Sequence, residues 1–198
     1  GVVKVYNETA ASIFLIPSVE EFTAGSEDGQ PSYLLEEQRG EFLDWFIVGE
    51  DSLVLGPGQA AVVPFVVNIP ANAVPGGYYA TIFWENIPPQ QPGAGNVGVR
   101  GKVGTLIFLK VKGELTESGN LLEFNTADGK SNYNQLPIIF SARFENTGNI
   151  HLQPQATVTL TNFWGKQTVL PLGDGKGNVL PGSIRRFETV WGPSSGTD

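Results

Sequence analysis

The chain has no cysteine, no methionine and a single histidine. Without Cys there are no disulfides, thiolate metal sites or thiol nucleophiles. Without Met the sequence carries no initiator of its own, as expected of a processed product or a fragment. One imidazole, His151, supplies neither a catalytic relay nor a multi-histidine metal set by itself. Flanked by Ile150 and Leu152, it is expected at the rim of a sheet, beside a turn at Asn146–Asn149. No apolar run approaches the roughly 20 residues that a spanning helix needs, so no membrane span is expected. "GVRGKVG" has the glycines of a phosphate loop but no helix to follow.

Basic residues are also scarce, with Lys+Arg 12 against Asp+Glu 20 and a net charge of −8. The acidic excess lies in residues 1–50 (Glu8, Glu20, Glu21, Glu27, Asp28, Glu36, Glu37, Glu41, Asp44 and Glu50), opposed only by Lys4 and Arg39. The remainder balances. An acidic face repels phosphate, which argues against nucleic acid as a partner.

What is abundant is turn chemistry and alternation. Gly 25 and Pro 14 in 198 residues suit many short strands. In "PIIFSARFE", Ile138, Phe140, Ala142 and Phe144 point one way, while Ile139, Ser141, Arg143 and Glu145 point the other. "TVTLTNF" alternates Val158 and Leu160 with threonines. "VGTLIFLKV" (Val103–Val111) is apolar on both faces, the pattern of a strand at the centre of packed sheets. Pro64, inside the strand-like "VVPFVVNI", is expected at an edge or a bulge. "SYLLEEQRGEFLDWF", interrupted by Gly40, predicts a turn or two of helix within a loop.

The chain repeats itself. "KVYNETAASIFLIP" (Lys4–Pro17) and "ARFENTGNIHLQP" (Ala142–Pro154) each run strand, Asn turn, strand, Pro. Each is followed by a Pro-Gly strand entry, in "LGPGQAAVVPFVV" and "VLPGSIRRFETVW". Pro presets φ and Gly supplies φ > 0, so both read as tight turns. The fold class is therefore all-β, with two tandem immunoglobulin-like β-sandwiches. The polar "KGELTESGN" divides them into 1–113 and 114–198.

Candidate sites are few. Glu27 and Asp28 in "SEDGQP" offer hard oxygens in a Gly turn, a candidate for Ca²⁺ well short of a full calcium loop; no other cofactor is expected. The adjacent pairs Glu20/Glu21 and Glu36/Glu37 would point to opposite faces of a strand, so a carboxylate-based glycan hydrolase is the weakest reading. In "YYATIFW", Tyr78 and Trp84 share one face and Tyr79 and Phe83 the other, as either core or a sugar platform. The loop "NIPPQQPGAGNVGVRGK" is long and rich in Pro and Gly, a frequent setting for function. The candidate binding set is Tyr78, Trp84, Pro88, Pro89, Asn96 and Arg100.

"VYNETAASIFLIPSVEEFTAGSEDGQPSY", "LDWF" and "LGPGQAAVVPFVVNIPANAVPGGYYATIFW" together resemble the first domain of the WxL-interacting surface proteins of Gram-positive bacteria. The second half, with "NTGNIHLQP" and "VLPGSIRRFETVW", resembles their second domain. The resemblance implies a non-enzymatic cell-surface protein whose domains bind peptidoglycan and a host or partner protein. Cell-wall glycan or a surface protein is then the expected partner, and the location extracellular. Relative to that family, the segment matching Gly1–Asn7 lacks a preceding strand. That predicts an open sheet edge which a strand from another chain could fill, giving a homo-oligomer or an adhesive filament. A pilus-type periplasmic chaperone is the alternative binding reading. It would need basic residues in an interdomain cleft, for which Lys110 and Lys112 are the nearest candidates.

Overall fold

The computed structural model describes residues 1–87, 100–173, 175 and 177–192. The chain forms two compact units. Unit 1 comprises Gly1–Phe22, Tyr33–Val74 and Tyr78–Val111; unit 2 comprises Thr23–Ser32, Pro75–Gly77 and Lys112–Asp198.

The strands of the first half are β1 (Val2–Tyr6), β2 (Ile13–Ala24), β3 (Pro31–Tyr33), β4 (Phe46–Val48), β5 (Leu53–Leu55), β6 (Ala60–Val67), β7 (Gly76–Asn86) and β8 (Lys102–Val111). One sheet runs β1-β6-β4; the other runs β3-β2-β7-β8, with β5 also on β2. Alternation decides what each strand buries. Val3 and Val5 of β1 point inward beside exposed Val2, Lys4 and Tyr6, and Val63 of β6 does the same. These meet Leu15, Leu55, Ile82 and Trp84 in the core between the sheets. Each such side chain contributes about 1.5–3 kcal/mol by leaving water. The other face of β7 is covered as well, because Tyr79 and Phe83 pack into an aromatic cluster with Phe22, Tyr33 and Phe108.

Pro64 does not lie on an edge strand or at a bulge. It sits in β6, the middle strand of its sheet, opposite Val2 of β1. On the other side it lies just past the end of β4, where its carbonyl accepts from Gly49 N–H at 2.8 Å. On the β1 side Gly1 and Phe65, one residue away, exchange the ladder bonds, so the missing N–H of proline costs nothing there; toward Gly49 the carbonyl accepts a bond that the proline nitrogen cannot return. The expected helical turns are 3₁₀, at Glu36–Gln38 and Glu41–Trp45, and Phe42 and Leu43 are buried from the second.

Unit 2 carries β9 (Gly119–Thr126), β10 (Ile138–Asn146), β11 (Ala156–Thr161), β12 (Gln167–Leu172) and β13 (Ile184–Trp191). A sheet ordered β13-β10-β9 and a hairpin β11-β12 enclose Ala142, Val158, Leu172, Val179 and Phe187. The inward set expected for β10 packs accordingly, with Phe140 and Phe144 against that core.

Both units contain the same buried knot. Asn7 is 1% exposed, and its Nδ2 donates to the carbonyls of Ala11, Leu55 and Gly56 at 2.8–3.0 Å. Its Oδ1 accepts from Thr9 N–H at 2.9 Å. Asn146 is fully buried; its Nδ2 donates to Ile150 and Val179 carbonyls at 2.8 and 2.7 Å, and its Oδ1 accepts from Gly148 N–H at 2.9 Å. The backbone of each Asn closes on the Pro-Gly turn of its own unit. Gly58 N–H donates to Asn7 O, and Gly182 N–H donates to Asn146 O. Both glycines adopt φ of +69°, which is the reason the turn ends in Gly.

Candidate functional site

The position of β8 differs from the sequence expectation. It is the end strand of its sheet, not a central one, and no strand pairs with its outer edge among the described residues. Apolar residues on both faces therefore meet solvent over part of its length: Val103 is 63% exposed and Leu106 44%. β1 is likewise the end strand of the opposite sheet. Val3–Tyr6 of β1 and Val103–Thr105 of β8 line a groove of about 230 Å³, with Trp84 of β7 among its walls.

The groove is lined by polar and apolar groups together, and it holds unspent polar capacity. Trp84 is 2% exposed, yet its indole N–H finds no acceptor among the described residues. A buried donor of this kind costs free energy unless something supplies an oxygen. Gly104 keeps β8 close to β7, since a Cβ there would lie 2.5 Å from Thr81 Cγ2 and 2.8 Å from the Phe83 ring. Lys102, at the start of β8, places its ammonium 4.0 Å from the centre of the Phe83 ring and also pairs with Glu20. The strand is thus anchored along its inner edge and, among the described residues, bare along its outer one. Such an edge is a template for a further strand.

The expected binding residues do not come together. Trp84 is buried in the core, so it offers no flat face to a sugar. Tyr78 is half-buried against Phe42 and Trp45, with ring centres 5.1 and 4.9 Å away, and its hydroxyl donates to Val74 O. Arg100 is exposed and lies 3.7 Å from Glu85. Pro88, Pro89 and Asn96 lie outside the described residues. Lys110 and Lys112 are both exposed.

The Ca²⁺ candidate residues, Glu27 and Asp28, lie within unit 2. Glu27 is held by Arg143, whose Nε lies 2.9 and 3.1 Å from the two carboxylate oxygens and whose Nη2 lies 2.5 Å from one of them. Arg186 adds a contact at 3.4 Å. The hydrogen bond from Arg143 holds the Glu27 carboxyl below its ordinary 4.5. Both oxygens of the Glu27 carboxylate thus face guanidinium groups. Asp28 accepts from Ser26 Oγ and from Gln30 N–H, which closes the turn. No group of three or more His, Asp or Glu side chains suited to a metal occurs among the described residues.

The sequence reading missed the groove itself. Its signal was the two-faced apolar run of Val103–Val111, which fits a bare edge as well as a buried centre. No family model matches the chain, and no curated protein matches it. Solved structures do. A class 5 fimbriae chaperone, CfaA, superposes over 100% of this chain and 88% of its own, at a TM-score of 0.51 and 11% identity. A chain of the chaperone–tip adhesin complex of CFA/I fimbriae biogenesis matches over 100% of this chain and 87% of its own, at a TM-score of 0.50 and 10% identity. The likeness is one of fold: all-β, with two tandem immunoglobulin-like sandwiches, as the sequence predicts.

Proposed function

We propose that this protein is a non-enzymatic chaperone for fibre-forming surface subunits, of the fimbrial kind, acting outside the cytoplasm. It would hold an extended segment of its client along the free edge of β8, with the client's side chains in the groove between β8 and β1. The observation that carries this reading is the pair of end strands, β1 and β8, whose outer edges are unpaired among the described residues and border one groove. Backbone hydrogen bonds along β8 supply affinity, and Val103 and Leu106 supply apolar contacts to alternate client side chains. The Trp84 N–H gains an acceptor if a client carbonyl reaches it. The match to a fimbriae chaperone over the whole chain supports the reading. It replaces a cell-wall adhesin as the leading function, because β7 presents no exposed aromatic platform to glycan.

The test is to refold a fimbrial subunit lacking its last strand with and without the chain. The subunit is expected to stay soluble only in its presence, with slowed amide exchange along β8 and β1. Thr105→Pro, on the bare strand, is expected to abolish the effect. A soluble complex with β8 and β1 exchange unchanged would overturn the proposal.

A further inference from the structure

The β11–β12 hairpin of unit 2 ends in a turn that holds two aromatic rings out in solvent. Phe163 is 96% exposed and Trp164 85%, the two most exposed large apolar residues among those described. The turn that carries them is rigidly built. Asn162 Oδ1 accepts from Trp164 N–H at 3.0 Å and from Lys166 N–H at 2.9 Å. Asn162 N–H donates to Lys166 O, and Gly165 N–H to Asn162 O, both at 3.0 Å. Gly165 adopts φ of +81°, which closes the loop. Displaying two rings this way leaves apolar area in water that a partner would cover.

Charge is distributed unusually around this tip. The chain has a net charge of −8, yet from Asn146 to Gly173 it contains no Asp or Glu, and Lys166 is the only Lys or Arg. The flanking Thr157, Thr159, Thr161, Gln167 and Thr168 are exposed and neutral. A negatively charged surface that would repel the first fifty residues meets no carboxylate on this hairpin's own sequence.

We infer that the Phe163–Trp164 tip docks into the interface of a lipid bilayer containing anionic headgroups. Trp and Phe bury their rings at the headgroup–acyl boundary, where the indole N–H remains hydrated, and Lys166 next to them meets a lipid phosphate. The alternatives fit less well. The two ring planes stand at 87°, so they form no coplanar platform for a sugar. The backbone N–H groups of Asn162, Trp164, Gly165 and Lys166 and the Asn162 amide oxygen spend their hydrogen bonds inside the turn, which leaves the tip fewer directional groups with which to read a protein pocket. A fluid interface asks for none. One small tip gives weak, reversible attachment, so the protein is held near a membrane and not embedded in it. This inference does not rest on β8 binding a strand.

The experiment uses the full chain and unilamellar vesicles of phosphatidylcholine with or without phosphatidylglycerol, at millimolar lipid. Co-sedimentation with the phosphatidylglycerol vesicles is expected, and F163S/W164S is expected to lower it by about tenfold or more. Because both side chains are exposed, the double variant should keep the parent's circular dichroism and melting temperature. K166E is expected to weaken binding to the anionic vesicles while leaving the weaker binding to phosphatidylcholine unchanged. Brominated lipid should quench fluorescence in the parent and much less in W164F, which keeps Trp45, Trp84 and Trp191. Absence of vesicle binding, or binding indifferent to F163S/W164S, overturns the inference. So does tip-dependent capture of glycan fragments or of a second copy of the chain with no attachment to vesicles.

Discussion

Asn7 and Asn146 hold equivalent places in their two units, each fully enclosed and each joined through its backbone to the Pro-Gly turn of its own sandwich. The side-chain amide of each ties together segments distant in sequence: Asn7 reaches Ala11 and Leu55, and Asn146 reaches Ile150 and Val179. An amide is suited to this because it donates and accepts at once. Replacing either by Ala would strand buried carbonyls that water cannot reach. We expect Asn146→Ala to destabilise unit 2 by about 3 kcal/mol, within the range for unsatisfied buried groups. Asn7→Ala should do the same to unit 1. Asp, which lacks the donors, should be no better. Denaturant unfolding followed by tryptophan fluorescence checks both.

The partner turns give a gentler test of the same duplication. Gly58 and Gly182 share φ of +69°, and a Cβ on Gly182 meets nothing within 4 Å. At Gly58 the nearest atom would be Tyr6 Oη at 3.8 Å. Substitution by Ala therefore costs only the backbone conformation, about 1–2 kcal/mol at each site. Equal shifts in the two variants are the expected result. A much larger loss at one position would show that its turn does more than reverse the chain.

Acid should loosen unit 2 through Glu27. Its carboxyl sits below the ordinary 4.5 because Arg143 donates to it, with Arg186 adding charge. A depressed carboxyl pKa stabilises the folded state fully above the unfolded value and loses that contribution as pH falls through the folded one. Asp128 follows at lower pH, since the Tyr133 hydroxyl and Lys130 bring it down to about 2. Melting temperature should therefore fall progressively below pH 4.5. Glu27→Gln should lower it at neutral pH and flatten the upper part of that fall. Arg143→Lys should restore little, because a single ammonium cannot match two carboxylate oxygens in parallel.

Much of this was legible in the sequence because it is local. The Asn turns, the Pro-Gly entries, the alternation of Ile138–Glu145 and the broken helical stretch around Gly40 all follow from a few neighbouring residues. Strand order is not local. The run Val103–Val111 is apolar on both faces, and periodicity alone does not say whether neighbours cover both of its edges. The same limit applies to Trp84. Alternation put it on the face opposite Phe83, but both faces of β7 are covered, one by the core between the sheets and one by the Phe22–Tyr79–Phe108 cluster. Glu27 shows a third kind of limit, since its arginine partner lies far along the chain and no spacing rule links them.

Trp84 offers the sharpest separation of stability from binding. Its ring fills the core of unit 1, so Trp84→Ala should cost about 3–5 kcal/mol and unfold much of that unit. Its indole N–H is bonded to nothing among the described residues, so Trp84→Phe removes a donor that stabilises nothing in the free protein. The expected loss from Trp84→Phe is thus the smaller one of trimmed volume, about 1 kcal/mol. If a client strand lends a carbonyl to that N–H, the same variant should bind the strand about three- to tenfold more weakly, the value of one hydrogen bond. Titrating a fluorescent strand peptide into parent and variant, with melting curves run in parallel, measures both quantities. Unchanged affinity alongside a modest stability loss would mean that Trp84 serves packing alone and that the client's carbonyls turn elsewhere.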